Sequence, residues 1–212
     1  MIVWLASFPR SGNALTRFIL QSCFGARNNH VPPGKLSEAR EAGAVWFAKT
    51  HETDVPEDEP AICIIRDGRA ALSSFHRYLR DFANSKVSLE RVVQGRPRSW
   101  SDHINWILSR DPSNTLVLRY EELIETHNFT LRRIATFTRL PLLRPFKNAF
   151  DAFHKANPKM FGVGGNGLGI AEVERECGEV FWRVNGDAMR ALGYEQCPCL
   201  KTAEQQPDIH PA

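Results

Sequence analysis

The sequence predicts an α/β fold of three layers, in which a mainly parallel sheet lies between two layers of helices. Short, continuous apolar runs are typical of strands buried on both faces of such a sheet. Helical stretches alternate with these runs along the chain, as in βαβ units. The 212 residues, 42% of them hydrophobic, are enough to bury a full core. We therefore expect one domain over residues 1–200 and a flexible polar tail over residues 201–212.

The predicted strands are short runs of apolar or β-branched residues. They lie at residues 2–5, 45–48, 61–65 and 115–118. The intervening sequence predicts helices over residues 14–23, 69–82, 101–109 and 120–137, with Pro141 ending the last. Two segments rich in Gly, Pro and Asn, residues 84–100 and 157–169, predict loops.

Composition excludes several classes of protein. The net charge of +3 is too small to indicate a nucleic-acid binder, although it suits an anionic small ligand. The five cysteines are scattered and form no C-x-x-C pair, so we expect neither a disulfide framework nor a zinc site. No apolar run approaches the length of a bilayer span, and no basic region precedes an apolar one at the start. We expect a soluble, cytoplasmic protein without a membrane span.

The first seventeen residues predict an anion site. A buried strand leads through a turn, residues 7–12, into the start of a helix. Such a connection directs unpaired backbone N–H groups and the positive end of the helix dipole at one point, where Arg10 adds a charge. The turn is not a Walker A loop, because it lacks that motif's first Gly and its Lys. The same pattern also occurs as a plain connection in α/β proteins.

Basic groups or a His follow all four predicted strands. They are Arg10, Lys49 with His51, Arg66, and Arg119 with Tyr120. Ligands of parallel sheets bind at the carboxyl ends of the strands, so we expect these side chains to surround one site.

An ordered set of motifs resembles the sulfotransferase family that uses 3′-phosphoadenosine 5′-phosphosulfate (PAPS). The motifs are Phe8-Pro9-Arg10-Ser11-Gly12, Lys49-Thr50-His51, Ile65-Arg66-Asp67 with Ser74, Ser99-Trp100-x-Asp102-His103, and Leu118-Arg119-Tyr120-Glu121-Glu122-Leu123. They cover residues 1 to 140, and residues 191–194 resemble the family more weakly. The resemblance implies a P-loop-like fold and PAPS as co-substrate, with 3′-phosphoadenosine 5′-phosphate (PAP) as product.

The resemblance also implies roles for single residues. The 5′-phosphosulfate is assigned to the loop Arg10, Ser11, Gly12, Asn13 and Ala14. The donor's 3′-phosphate is assigned to Arg66 and Ser74, whose spacing matches that of the family. His51 takes the position of the catalytic base, and Tyr120 a position near the adenine.

Sulfuryl transfer places its own demands on the site. Cations must stabilise the charge that develops at the transferred group, and Arg10 and Lys49 suit that role. A hydroxyl acceptor needs a base, and a His with a pKa near neutrality is the usual one, which favours His51. In isolation His51 would instead be interpreted as a surface loop residue in a charged stretch. We expect His103 to make a structural hydrogen bond, and we expect no metal to be required.

The sequence departs from the family in two places that bear on the donor. Asn13, Ala14 and Leu15 stand where the family commonly has hydroxyl residues and a Trp. The C-terminal Arg-Lys-Gly element that completes the 3′-phosphate clamp has no counterpart, and the corresponding region, residues 161–169, is Gly-rich. That region could offer backbone amides to a phosphate or be an ordinary loop.

The sequence thus predicts an enzyme that moves a sulfuryl group from PAPS to a hydroxyl of a small molecule, glycan or lipid. An amine acceptor, a P-loop-like small-molecule kinase and a non-catalytic PAP-binding module stay open as alternatives. Nucleic acid is not expected as a partner, and the oligomeric state is not predicted.

Overall fold

A computed structural model describes residues 2–28, 46–125, 127–147, 155 and 167–194. Within it, five parallel strands form one sheet in the order β2-β3-β1-β4-β5. The strands are β1 (Ile2–Ser7), β2 (Arg27–Asn28), β3 (Trp46–Thr50), β4 (Ala61–Ile65) and β5 (Thr115–Arg119). The predicted α/β class with a parallel sheet is confirmed.

The helices of the described residues lie on both sides of this sheet. They are α1 (Asn13–Phe24), α2 (Gly68–Asp81), α3 (Leu89–Val93), α4 (Trp100–Ser109), α5 (Tyr120–Glu125), α6 (His127–Thr138) and α7 (Gly167–Ala191). In the described ranges, no helix is both long and apolar enough to cross a membrane.

Two hydrophobic cores cover the two faces of the sheet. Alternate residues of a strand point to opposite faces, so Trp4 and Ala6 belong to one core while Val3 and Leu5 belong to the other. The first core includes residues of α2, α3, α4 and α7, and the second includes residues of α1, α5 and α6. This is the three-layer arrangement that the alternation of strands and helices predicts.

The register of the sheet brings the ends of three strands together. β1 lies between β3 and β4, with Leu5 opposite Lys49 and Ala6 opposite Cys63. All three strands run in the same direction, so the segments that follow them leave the sheet at one edge. That edge carries the predicted site.

The structure corrects several predicted elements. The predicted helix over residues 120–137 is two helices, α5 and α6. The predicted loop over residues 84–100 contains α3, whose first turn is capped by Ser88. Of the predicted loop over residues 157–169, Gly167 to Gly169 begin α7, a helix that the sequence did not predict. Residues 157–166 and the tail, residues 201–212, lie outside the described residues.

Candidate active site

The connection from β1 to α1 has a backbone that constrains its residue types. Arg10 has φ 70° and Gly12 has φ 110°, both in the left-handed region. A Cβ at Gly12 would lie 2.6 Å from Cδ2 of Tyr120, so a side chain there would meet both backbone strain and a collision. The turn therefore requires Gly12, and it holds Tyr120 against the start of α1.

The first turn of α1 is open. No side chain of the described residues caps it, and it contains no acidic residue. The Asn13 amide points back toward β1 and donates to Ser7 Oγ at 3.1 Å and to the Leu5 carbonyl at 3.4 Å. Ala14 is exposed and has only its backbone N–H to offer. The amides at the start of α1 are thus without a side-chain cap among the described residues, and the helix dipole favours an anionic ligand there.

The Ser11 hydroxyl adds a second signal at the same place. Ser11 is 1% exposed, and its Oγ has no hydrogen-bond partner among the described residues. A buried hydroxyl without a partner costs free energy, about 1–3 kcal/mol. An anion bound at the start of α1 would accept this bond. The residues present therefore fit a phosphosulfate.

Two guanidinium groups lie beside the open helix start. Arg66 Nη1 donates to the Arg10 carbonyl at 2.9 Å, and Arg10 Nε donates to Ser74 Oγ at 3.3 Å. The Arg66 guanidinium also lies over the Tyr120 ring, 4.2 Å from its centroid. The structure thus brings together Arg10, Arg66, Ser74 and Tyr120, which are far apart in the sequence.

The charges of this cluster are partly removed from water. Burial lowers the pKa of Arg10, and the charge of Arg66 lowers it further. Burial likewise lowers the pKa of Arg66, which is only 7% exposed. Although Arg66 follows the carboxyl end of β4, it is not a surface residue, because the Tyr120 ring and the Arg10 loop cover it. Arg10 and Arg66 are two largely buried cations that repel each other, and a bound anion would stabilise their charged forms.

Lys49 lies in β3, which extends to Thr50 and not only to the predicted residue 48, and His51 follows this strand. β3 lies on the opposite side of β1 from β4. Lys49 is half-buried, and burial together with the charge of Arg17 lowers its pKa. His51 Nδ1 lies 2.7 Å from the Ser7 carbonyl oxygen. A carbonyl oxygen can only accept, so Nδ1 carries the hydrogen and the neutral ring keeps its lone pair on Nε2. His51 is thereby oriented as a proton acceptor.

The pKa of His51 differs from the sequence-based expectation. Burial, opposed by the hydrogen bond to Ser7 and aided by the charge of Lys49, lowers it to about 4. The expected value near neutrality is therefore wrong for the protein without ligands. The consequence favours the assigned role, since His51 is unprotonated at neutral pH.

A cleft of about 150 Å³ opens beside His51. It is lined by Phe8, His51, Glu52, Thr53, Arg98, Ser99, Asp102 and His103. Apart from Phe8, these side chains are polar. In the described part of the chain, no three His, Cys, Asp or Glu side chains are grouped so that they could hold a metal ion.

His103 lines this cleft, and the described residues do not provide the structural hydrogen bond that was predicted for it. Its ring is 3% exposed and packs edge-on against Phe8, and Nε2 has no partner among the described residues. Burial and the nearby charge of His51 lower the pKa of His103 to about 4. His103 also lies beside Trp106 of α4, with ring centroids 5.4 Å apart.

Arg98 is a residue of the site that the sequence analysis missed. Its Nη1 donates to the His51 carbonyl at 2.9 Å, and its guanidinium pairs with Glu52 at 2.5 Å. Arg98 therefore fixes the segment after β3 across the cleft. It lies in the segment predicted as a loop, and no local pattern marks it.

Comparison with known proteins places these residues in a family context. The family model described as a sulfotransferase domain matches residues 58–158. This range includes Arg66, Ser74, His103 and Tyr120, while the β1–α1 connection precedes it. The sequence matches no curated protein at a significant level.

Solved structures share the fold at low identity. Mouse sulfotransferase SULT7A1 complexed with PAP matches with TM-score 0.68 and 18% identity, over 90% of this chain and 86% of that one. Retinol dehydratase in complex with androsterone and inactive cofactor PAP matches with TM-score 0.62 and 15% identity, over 94% and 83% of the two chains. The sulfotransferase domain from the curacin biosynthetic pathway matches with TM-score 0.54 and 14% identity, over 92% and 98%. These likenesses establish the fold.

Proposed function

We propose that this chain is a sulfotransferase that moves a sulfuryl group from PAPS to a hydroxyl acceptor, with His51 as the general base. The observation that carries the proposal is the convergence of Arg10, Arg66 and Ser74 beside the uncapped start of α1. Two structures with this fold are complexes with PAP, which is the product of PAPS.

The donor has two anionic groups, and the site offers two matching places. The amides at the start of α1, Ser11 Oγ and Arg10 would hold the 5′-phosphosulfate. Arg66 and Ser74 would hold the 3′-phosphate, with Tyr120 under Arg66 and close to the adenine. Hydrogen bonds from charged donors to phosphate are short and strong, so these contacts supply most of the donor's affinity.

PAPS supplies an activated sulfuryl group: its S–O bond to the leaving phosphate oxygen breaks as the acceptor oxygen bonds to sulfur, and PAP departs. The residues of this chain provide the rest. His51 Nε2 takes the proton of the acceptor hydroxyl, while Nδ1 stays bonded to the Ser7 carbonyl. Lys49 and Arg10 stabilise the charge at the transferred group and the leaving oxygen.

The polar cleft is the proposed entrance for the acceptor. His103 lines the cleft, and its buried Nε2 has no partner among the described residues. We assign this atom to a polar group of the acceptor. The matching structure of retinol dehydratase contains the steroid androsterone. Here the described lining favours a small polar acceptor, such as a polyol or sugar, over a glycan chain or lipid.

A thermal-shift titration separates this function from its alternatives. PAP without any metal should raise Tm, whereas ATP with magnesium should not. The reverse result would indicate the kinase. A non-catalytic module, suggested by the missing Arg-Lys-Gly element, would bind PAP but would show no transfer from radiolabelled PAPS to any member of a panel of hydroxyl compounds.

A further inference from the structure

The clamp assigned to the donor's 3′-phosphate lacks its C-terminal Arg-Lys-Gly element in this sequence, but α7 packs on α2, the helix that carries Ser74. The first turn of α7 packs closely on α2: a Cβ at Gly169 would lie 3.3 Å from Cα of Ala70 and 3.1 Å from Ser73 Oγ. One turn further, Glu172 of α7 accepts hydrogen bonds from Ser73 Oγ and from Arg77 Nη1, the latter at 3.0 Å.

Arg77 stands next to the phosphate-binding hydroxyl. Ser74 and Arg77 are three residues apart on α2, so they are neighbours on one face, with Cβ atoms about 5–6 Å apart. Ser74 Oγ in turn accepts from Arg10 Nε. A ligand phosphate that accepts a hydrogen bond from Ser74 Oγ is therefore within the length of the Arg77 side chain.

The charge of Arg77 acts on the same cluster. Burial is the main cause that lowers the pKa of Arg10 and of Arg66, and the charge of Arg77 lowers both a little further. Arg77 is thus near enough to both guanidinium groups for its charge to act on them. The Arg77–Glu172 pair is also easily exchanged, because the Arg77 side chain is 43% exposed and such pairs contribute little to stability. A bidentate bond to a phosphate is the stronger alternative.

We propose that Arg77 is the third cationic arm of the 3′-phosphate clamp, held beside the site by Glu172 of α7 until the donor binds. Arg77 thereby takes the place of the missing Arg-Lys-Gly element and determines specificity for a donor with a 3′-phosphate. The inference rests on the proposed function, since it concerns the same donor.

Calorimetric titration with two probes tests the assignment. PAP carries the 3′-phosphate and adenosine 5′-phosphate lacks it. Arg77→Ala should weaken PAP by about tenfold or more, as expected for a lost hydrogen bond to a charged group, and leave adenosine 5′-phosphate unchanged. Arg77→Lys should have an intermediate PAP affinity, because Lys keeps the charge but cannot make a bidentate hydrogen bond to the phosphate. The matched control is Arg80→Ala, an exposed Arg of α2 that pairs with Asp81.

The outcomes separate this inference from the proposed function. If the wild-type protein binds PAP no more tightly than adenosine 5′-phosphate, the PAPS assignment itself fails. If the wild type discriminates between the probes and Arg77→Ala, with an unchanged melting curve, discriminates equally well, only the role of Arg77 is refuted. Equal weakening of both probes by Arg77→Ala refutes it as well, since the contact would then not be to the 3′-phosphate.

Discussion

Helices α1 and α2 both begin after adjacent parallel strands, β1 and β4, yet their first turns differ. At α2, Asp67 accepts from the Arg69 backbone N–H at 2.9 Å and pairs with the Arg69 guanidinium, which also contacts Glu174 of α7. At α1, Gly12 stands in the cap position and offers no side chain. The chain closes one helix start with its own carboxylate and leaves the other to an anionic ligand.

The two helix starts also differ in their contribution to stability. A side-chain cap stabilises a helix start by about 0.5–2 kcal/mol, and α1 lacks this contribution while also burying the Ser11 hydroxyl without a partner in the described residues. The β1–α1 connection is thus less stable without a ligand than the β4–α2 connection. Substitutions at the open start of α1 should therefore act on binding and turnover, and substitutions of the Asp67 cap of α2 on folding.

The largest effect is expected for His51, which is anchored to the β1–α1 connection through the Ser7 carbonyl. Loss of a positioned base costs about 10²–10⁴ in rate. His51→Ala should lower kcat by that factor in a PAPS transfer assay while PAP affinity stays nearly unchanged. If His51→Ala keeps activity within a few-fold of wild type and His103→Ala is inactive, His103 and not His51 is the base.

The pH dependence sharpens the assignment of His51. A base must be unprotonated, so kcat/KM should fall as pH decreases through its pKa, which is about 4 rather than the usual 6.5. The lowered pKa also affects folding, because between pH 6.5 and 4 the unfolded chain binds a proton at His51 that the folded chain does not. Tm should therefore fall as the pH is lowered from 6.5 to 4. In His51→Ala the acid limb of the rate should be absent, and the fall in Tm should be smaller.

Gly12→Val should have the next largest effect. Its φ of 110° and the 2.6 Å approach of Tyr120 mean that a side chain must displace the loop or the ring. Strain of about 3 kcal/mol would weaken PAP about a hundredfold. Gly25→Ala is the matched control, because Gly25 has φ 63° at the opposite end of the same helix. It should lower stability alone, and normal PAP affinity in Gly12→Val would show that the loop is only a connection.

Arg66→Ala should weaken PAP by about 1.5–3 kcal/mol, the value of a hydrogen bond to a charged group. Because Arg66 is buried over Tyr120, Tm should fall too, so a control of equal burial is needed. Arg110, 5% exposed and bonded to the carbonyls of Val55 and Glu59 at the other end of the sheet, provides it. Arg110→Ala should lower Tm without changing PAP affinity. A PAP affinity that falls equally in both variants would contradict the assignment.

The smallest functional effect is expected for the capped helix. Asp67→Ala removes both the cap of α2 and a buried ion pair, although Arg69 keeps Glu174. Urea denaturation should show a loss of about 2 kcal/mol, while PAP affinity stays close to that of the wild type. A large loss of PAP binding at unchanged stability would erase the distinction between the two connections.

Local patterns predicted much of this molecule. The run at residues 61–65 coincides with β4, because a strand buried on both faces is continuous and apolar. The strand ends also indicated the candidate residues Arg10, Lys49, His51 and Arg66, since parallel strands end at one edge. What could not be predicted depends on contacts distant in sequence. α7 begins with Gly-rich, exposed residues and is stabilised by packing on α2, and the environment of His103 is set by Phe8 and the segment after β3.

The most direct test of the account is an amide ¹⁵N–¹H titration of the wild-type protein with PAP. If the open start of α1 holds the 5′-phosphate, the amides of Asn13, Ala14 and Leu15 should shift strongly downfield, while the Arg69 amide, already bonded to Asp67, should move little. Unchanged amides at the start of α1 under saturating PAP would contradict the central claim that this helix terminus is the donor site.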